Sequence, residues 1–81
     1  MKIKVNFFSY CRELTGTAET HLELPEGTAL GVAHDQLALL FPKLDAMKKS
    51  TLLAVGVEYQ LRDHVLKDGD EVSLFPPVQG G

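Results

Sequence analysis

The chain has 81 residues, of which 44% are hydrophobic and 23% are charged, and its formal net charge is −3. This length allows one small domain, and the composition is that of a folded chain rather than a disordered one. The acidic balance disfavours nucleic-acid binding, which needs an excess of Lys and Arg, and the single cysteine excludes an internal disulfide.

Two alternating segments predict a β-hairpin near the N-terminus. Apolar residues occupy the odd positions from Ile3 to Phe7, and polar residues occupy the even positions from Lys2 to Asn6. A period of two with one apolar face is typical of a half-buried strand. A second alternation follows, and its expected inward positions are Ala18, Thr20, Leu22 and Leu24.

Two helices are predicted, one inside the hairpin and one after it. Ser9 as N-cap and Gly16 as the residue after the helix frame a short helix over Tyr10–Thr15. A longer helix begins after a turn, with Thr28 as its cap, and ends near Phe41 because the following residue is a proline. Its apolar stripe consists of Leu30, Ala33, Leu37, Leu40 and Leu44.

The C-terminal half predicts further strands. Residues 52–55 form a short apolar run, Gly56 suits a turn with positive φ, and Tyr59 with Leu61 suits a brief edge strand. A turn over Lys67–Asp70 leads to a last alternating strand over Glu71–Phe75. Since strands that flank a helix usually pair in parallel, we expect an α+β domain with a mixed sheet of four to five strands packed on one main helix.

Few side chains suit catalysis or metal binding. The three histidines His21, His34 and His64 lack the spacing of a metal site. We interpret His21 as solvated on a strand face and His34 as a partly buried packing residue. Cys11 lies in the first turn of the short helix, where the helix N-terminus can activate a thiol, but a small apolar filler is the favoured interpretation. We expect no bound metal or cofactor and no self-contained active site.

No segment predicts export or a membrane span. The longest run free of Asp, Glu, Lys and Arg is Val72–Gly81, whereas a spanning helix needs about 20 apolar residues. Lysines interrupt the apolar positions at the N-terminus, unlike the pattern of a signal peptide. We expect a cytoplasmic protein with no membrane or nucleic-acid partner.

The C-terminus carries the clearest functional signal. Proline cannot donate to a strand ladder, so the domain is expected to cover residues 1–75 and an extended tail residues 76–81. Two final glycines leave no side chain beside the terminal carboxylate of Gly81, a shape that suits a narrow active site on another protein. Fraying is the alternative. The remaining tail residues are Pro76, Pro77, Val78, Gln79 and Gly80.

These motifs resemble a known family. The small subunits of molybdopterin synthase, which are ubiquitin-like β-grasp sulfur carriers, are similar at both ends of the chain. One departure is Gly56, where that family often carries Asn. The similar segments are Ile3–Phe8, Arg12-Glu13-Leu14-x-Gly16, Asp68-Gly69-Asp70-Glu71-Val72, Phe75-Pro76-Pro77-Val78 and Gly80-Gly81.

The resemblance implies a mechanism centred on Gly81. A ubiquitin-activating-enzyme-like adenylyltransferase, using ATP and Mg, would adenylate the terminal carboxylate, and a sulfur donor protein would convert it to a thiocarboxylate. The tail would then enter the large subunit of molybdopterin synthase and deliver sulfur to a cyclic pyranopterin phosphate precursor, forming the dithiolene of molybdopterin. The family assembles as a heterotetramer with two large subunits at its centre.

Two outward-facing aromatic residues predict a docking surface. Phe8 and Phe75 fall on the strand face opposite the core, where they form a partner-binding patch unless a helix or loop covers them. Other functions that fit the tail are a sulfur carrier for thiamine or tRNA thiolation, a ubiquitin-like modifier conjugated through Gly81, and a plain binding domain with an idle tail.

Overall fold

The structure, a computed structural model, describes residues 1–77. It contains one five-stranded mixed sheet in the order β2-β1-β5-β3-β4, which confirms the predicted fold class. The central strands β1 and β5 are parallel, and the other neighbouring pairs are antiparallel. The elements are β1 (Lys2–Phe7), α1 (Tyr10–Thr15), β2 (Glu19–Glu23), α2 (Leu30–Leu40), a 3₁₀ segment (Pro42–Ser50), β3 (Leu52–Val55), β4 (Glu58–Tyr59) and β5 (Glu71–Phe75).

One face of the sheet, here called the covered face, packs against α2. Ile3, Val5 and Phe7 project from β1 into a shared apolar core with Leu30 and Leu37 of the helix. Burying each large apolar side chain contributes roughly 1.5–3 kcal/mol, so this face supplies much of the stability of so small a domain. The opposite face of the sheet, here called the open face, carries the alternate side chains of the same strands.

The first turn of α2 is capped by a distant segment and not by a local side chain. The amides of Leu30 and Gly31 donate to the carbonyls of His64 and Arg62, at 2.7 and 2.8 Å. We call residues 60–66 the strap. The prediction that Thr28 caps α2 is wrong. The strap carbonyls already accept the helix amides, and the hydroxyl of Thr28 donates to the carbonyl of Pro25 instead.

Two inward positions predicted from the pattern are also wrong. Leu40 is 60% exposed, because α2 ends there and the chain turns at Phe41, whose ring packs edge-on against Phe7 with centroids 5.4 Å apart. Ala18 is exposed because it lies before the first paired residue of β2. The other apolar positions of both patterns are buried, and Thr20 is half-buried.

The turn glycines behave as the sequence predicts. Gly16 has a φ of 76° and its amide donates to the carbonyl of Arg12, which closes α1. Gly56 has a φ of 62° at the turn between β3 and β4. Both backbone conformations strain a residue with a Cβ. Ser9 occupies the N-cap position of α1 but makes no capping hydrogen bond through its side chain. Within residues 1–77, no helix is long and apolar enough to cross a membrane.

Candidate functional site

The chain leaves the sheet from a central strand. β5 lies between β1 and β3 and ends at Phe75, and Pro76 and Pro77 follow it as half-buried residues outside any strand. The remaining predicted tail residues, Val78, Gln79, Gly80 and Gly81, lie outside the described residues, so their roles stay predictions. The described part places the start of the tail beside the open face.

Three aromatic side chains meet where β5 ends. The rings of Phe8 and Phe75 stack with centroids 4.8 Å apart and an interplanar angle of 7°. Tyr59 contacts Phe75 edge-on, with centroids 6.0 Å apart. Phe8 is 43% exposed and Tyr59 is 66% exposed, while Phe75 is half-buried. We call Phe8, Tyr59 and Phe75 the aromatic cluster.

Strand register explains why these rings meet. β1 and β5 are parallel with Phe7 opposite Leu74, and the amide of Phe8 donates to the carbonyl of Leu74 at 3.1 Å. The next residue pair therefore brings Phe8 and Phe75 side by side on the open face. Tyr59 was not predicted as part of this patch, because β4 has only two residues and shows no period of its own.

The far end of the open face is charged. Lys4 lies 3.7 Å from Glu19 and 3.8 Å from Glu71, and a further ion pair joins Lys2 to Glu23. Exposed pairs of this kind contribute little to stability. The open face therefore changes from ion pairs at one end to large apolar rings at the end where the tail begins.

A second polar cluster joins the strap to α2. The guanidinium of Arg62 donates to the Asp35 carboxylate at 2.8 Å, to the Gly31 carbonyl at 3.1 Å and to Nδ1 of His34 at 3.3 Å. Asp35 also forms an ion pair with Lys48. Hydrogen bonds from Lys48 and Arg62 lower the pKa of Asp35. Sequence patterns did not reveal this cluster, because its members are brought together only by the tertiary fold.

His34 is buried in this cluster, deeper than the sequence indicates. Burial, followed by the nearby charges of Arg62 and Lys48, lowers its pKa to about 4. An arginine can only donate, so Nδ1 of the neutral ring accepts and the proton lies on Nε2. That Nε2 has no hydrogen-bond partner among residues 1–77. An unsatisfied buried donor costs about 1–3 kcal/mol.

Gly31 is required where the strap crosses α2. A Cβ at this position would lie 2.9 Å from both Cβ and Nε of Arg62. The glycine therefore allows the arginine side chain to lie directly on the helix backbone and to reach His34 and Asp35.

The other chemical candidates have structural roles. Cys11 is fully buried and burial raises the pKa of its thiol, so it fills the core as the favoured interpretation proposes. His21 is exposed on β2, as predicted. Among the described residues, no three His, Cys, Asp or Glu side chains are grouped to hold a metal ion.

Comparison with known proteins agrees with this geometry. Residues 5–81 match the ThiS family. A molybdopterin synthase sulfur carrier subunit of Arabidopsis thaliana is 35% identical over 81 residues, spanning 100% of this chain and 84% of that protein. The structure of SAMP1 from Haloferax volcanii superposes with a TM-score of 0.89 at 22% identity, covering all of both chains.

A further solved structure shares the fold. It is the complex of subunits 1 and 2 of the molybdopterin-converting factor from Helicobacter pylori. One chain of that complex matches with a TM-score of 0.71 at 23% identity, and the match covers 100% of this chain and 100% of that chain. The sheet order, the packing of α2 on one face of the sheet and these superpositions define a ubiquitin-like β-grasp fold.

Sequence similarity identifies the family within this fold. The chain belongs to the ThiS family, among the molybdopterin synthase sulfur carrier subunits.

Proposed function

We propose that the chain is the sulfur-carrier subunit of a molybdopterin synthase and that the sulfur travels on its terminal residue, Gly81. The observation that carries this proposal is the full-length similarity to the Arabidopsis sulfur carrier subunit, since the family match extends through the final glycine. In support, β5 ends at Phe75, and Pro76 and Pro77 follow it outside any strand.

Loading the tail requires activation of a carboxylate. A carboxylate is a poor electrophile because attack must overcome its resonance and negative charge. An adenylyltransferase resembling ubiquitin-activating enzymes, with ATP and Mg²⁺ bound to itself, joins the Gly81 carboxylate to AMP and releases pyrophosphate. Sulfide released by a donor protein then displaces AMP at the carbonyl carbon and leaves a thiocarboxylate. This chain supplies the narrow acyl group and binds no cofactor in these steps.

Unloading the tail transfers sulfur to the substrate. Inside the large subunit, the ionised thiocarboxylate sulfur of Gly81 attacks a carbon of the cyclic pyranopterin phosphate precursor, and an oxygen substituent leaves that carbon. Release of the acyl group by water restores the Gly81 carboxylate. A dithiolene contains two sulfurs, so two loaded tails are consumed per molybdopterin. The groups that bind the substrate belong to the large subunit, and the assembly is a heterotetramer with two large subunits at its centre.

The aromatic cluster is the proposed docking surface for both partners. Exposed rings beside an interface anchor contribute large apolar area at low conformational cost. Phe8, Tyr59 and Phe75 adjoin the start of the tail, so a partner that holds the tail also covers them. Replacing Phe75 with Ala is expected to weaken binding to the large subunit and to the adenylyltransferase while the fold is kept.

Reconstitution tests the proposed function. The chain, the adenylyltransferase, a sulfur donor, ATP and the large subunit are combined with the precursor, and molybdopterin is quantified. Deleting Gly81 abolishes product in this scheme, whereas Lys2→Ala, a matched change at an exposed residue far from the tail, retains it. Product formation without Gly81 contradicts the proposal. Formation of a thiolated tRNA or thiamine precursor, or of lysine adducts, assigns the tail to one of the alternative functions.

A further inference from the structure

An open groove lies beside the polar cluster and is not used by the function proposed above. It has a volume of about 600 Å³ and runs between the strap, the start of β3 and the end of the 3₁₀ segment. Its walls are mainly apolar and include Leu52, Tyr59 and Leu61, while Lys48, Lys49 and Arg62 surround them with positive charge.

The apolar walls are incompletely covered. Leu61 is 77% exposed and Tyr59 is 66% exposed. Adjacent large apolar side chains with this exposure are typical of interaction surfaces. Side chains so exposed cannot enclose a small molecule, which favours a protein segment laid across the groove.

The charge of the groove favours a negative occupant. Three cationic side chains line or border it, and Asp35 is the carboxylate paired with two of them. This positive region lies on a chain whose net charge is −3. Lys49 forms no ion pair with any other residue in the range 1–77, so its charge is free to attract an external carboxylate.

The groove is continuous with the aromatic cluster. Tyr59 belongs to both, and Leu52 lies opposite Phe75 in the β3–β5 register. A protein that covers the rings at the start of the tail therefore reaches the groove without a break in its interface.

We propose that the groove receives a short segment of the large subunit in which a carboxylate adjoins a large apolar side chain. The carboxylate lies against Lys49 and Arg62, and the apolar side chain lies on Leu61. This inference rests on the proposed function, because it assumes that the large subunit covers the aromatic cluster.

Titration calorimetry with the large subunit tests the charged half of this contact. Lys49→Glu is expected to weaken binding at least about tenfold by reversing a charge at the interface. Lys43→Glu is the matched control, since it makes the same charge change on the same 3₁₀ segment outside the groove lining, and it is expected to weaken binding less than about twofold. Equal losses for the two variants overturn the inference.

A second pair of variants tests the apolar half. Leu61→Ala is expected to weaken binding about fivefold or more, and Val57→Ala, which removes an even more exposed side chain outside the groove, is expected to leave it unchanged. If the unmodified chain does not bind the large subunit, the proposed function itself fails. If it binds, and neither Lys49→Glu nor Leu61→Ala changes the affinity, only this inference fails.

Discussion

Phe7, the last residue of β1, and Phe8, which directly follows it, lie on opposite faces of the sheet and have different roles. Phe7 points to the covered face and is buried against Phe41, whereas Phe8 points to the open face and stacks on Phe75 at the surface. The first ring stabilises the fold, and the second leaves nearly half of its surface for a partner. Fold stability and partner binding can therefore be changed separately in this domain.

Neighbouring phenylalanines give the largest expected difference between the faces. Phe7→Ala removes a fully packed ring from the core and is expected to lower the free energy of unfolding by about 3–5 kcal/mol. Chemical denaturation followed by circular dichroism measures this loss.

Phe8→Ala is the control for that experiment. It forfeits one stacking contact and partial burial, so a loss below about 1.5 kcal/mol is expected, with the m-value kept. Equal losses at the two positions would show that the open face is part of the core and would remove the distinction between the faces.

His34 makes the stability of the fold depend on pH. His34 lies on the covered side with its pKa lowered to about 4 from 6.5, so the unfolded chain binds more protons between these values. Stability is therefore present above pH 6.5 and is lost as the pH falls toward 4, by about 3 kcal/mol from this residue. Denaturation midpoints measured across this range test the expectation.

Two variants isolate the contribution of His34. His34→Gln removes the titrating group and is expected to flatten the decline in stability between pH 6.5 and 4, whatever its cost at neutral pH. His21→Gln changes a histidine on the open face, opposite Lys4, and is expected to keep the decline of the unmodified chain. A decline that disappears with His21 and persists without His34 would reverse the assignment.

Ion pairs on the open face give the smallest expected effect. Lys4→Ala removes contacts with Glu19 and Glu71 that are partly solvated, so a loss below about 1 kcal/mol is expected, and it should shrink further in high salt. Thermal unfolding at low and high ionic strength measures both. A loss of unfolding free energy comparable to that of Phe7→Ala would show that these ion pairs are a major source of the stability of the fold.

Local patterns predicted the elements that depend on local physics. The alternation in β1 and β5, the turn glycines Gly16 and Gly56, and the end of α2 before Pro42 all follow from backbone preferences that each segment expresses alone. Placing Phe8 and Phe75 on one face required only the period of two.

Features made by distant residues were missed. The strap caps α2 through carbonyls more than thirty residues away in the sequence. No local pattern encodes this contact, and the local pattern predicts Thr28 as the cap instead. The same strap brings Arg62 to His34 and creates the groove. Leu40 fits the helical period but is exposed, because the period does not report which neighbour covers each turn. The role of the tail came from resemblance to a family and not from geometry.

Intact mass spectrometry of the chain, purified from cells with a working sulfur donor and adenylyltransferase, tests the sulfur-carrier role most directly. We expect a fraction heavier by the difference between one sulfur and one oxygen atom, with fragmentation locating the change at Gly81. This fraction should disappear on incubation with the large subunit and the pterin precursor. A chain that keeps an unmodified carboxylate whenever both loading partners are active would contradict the account.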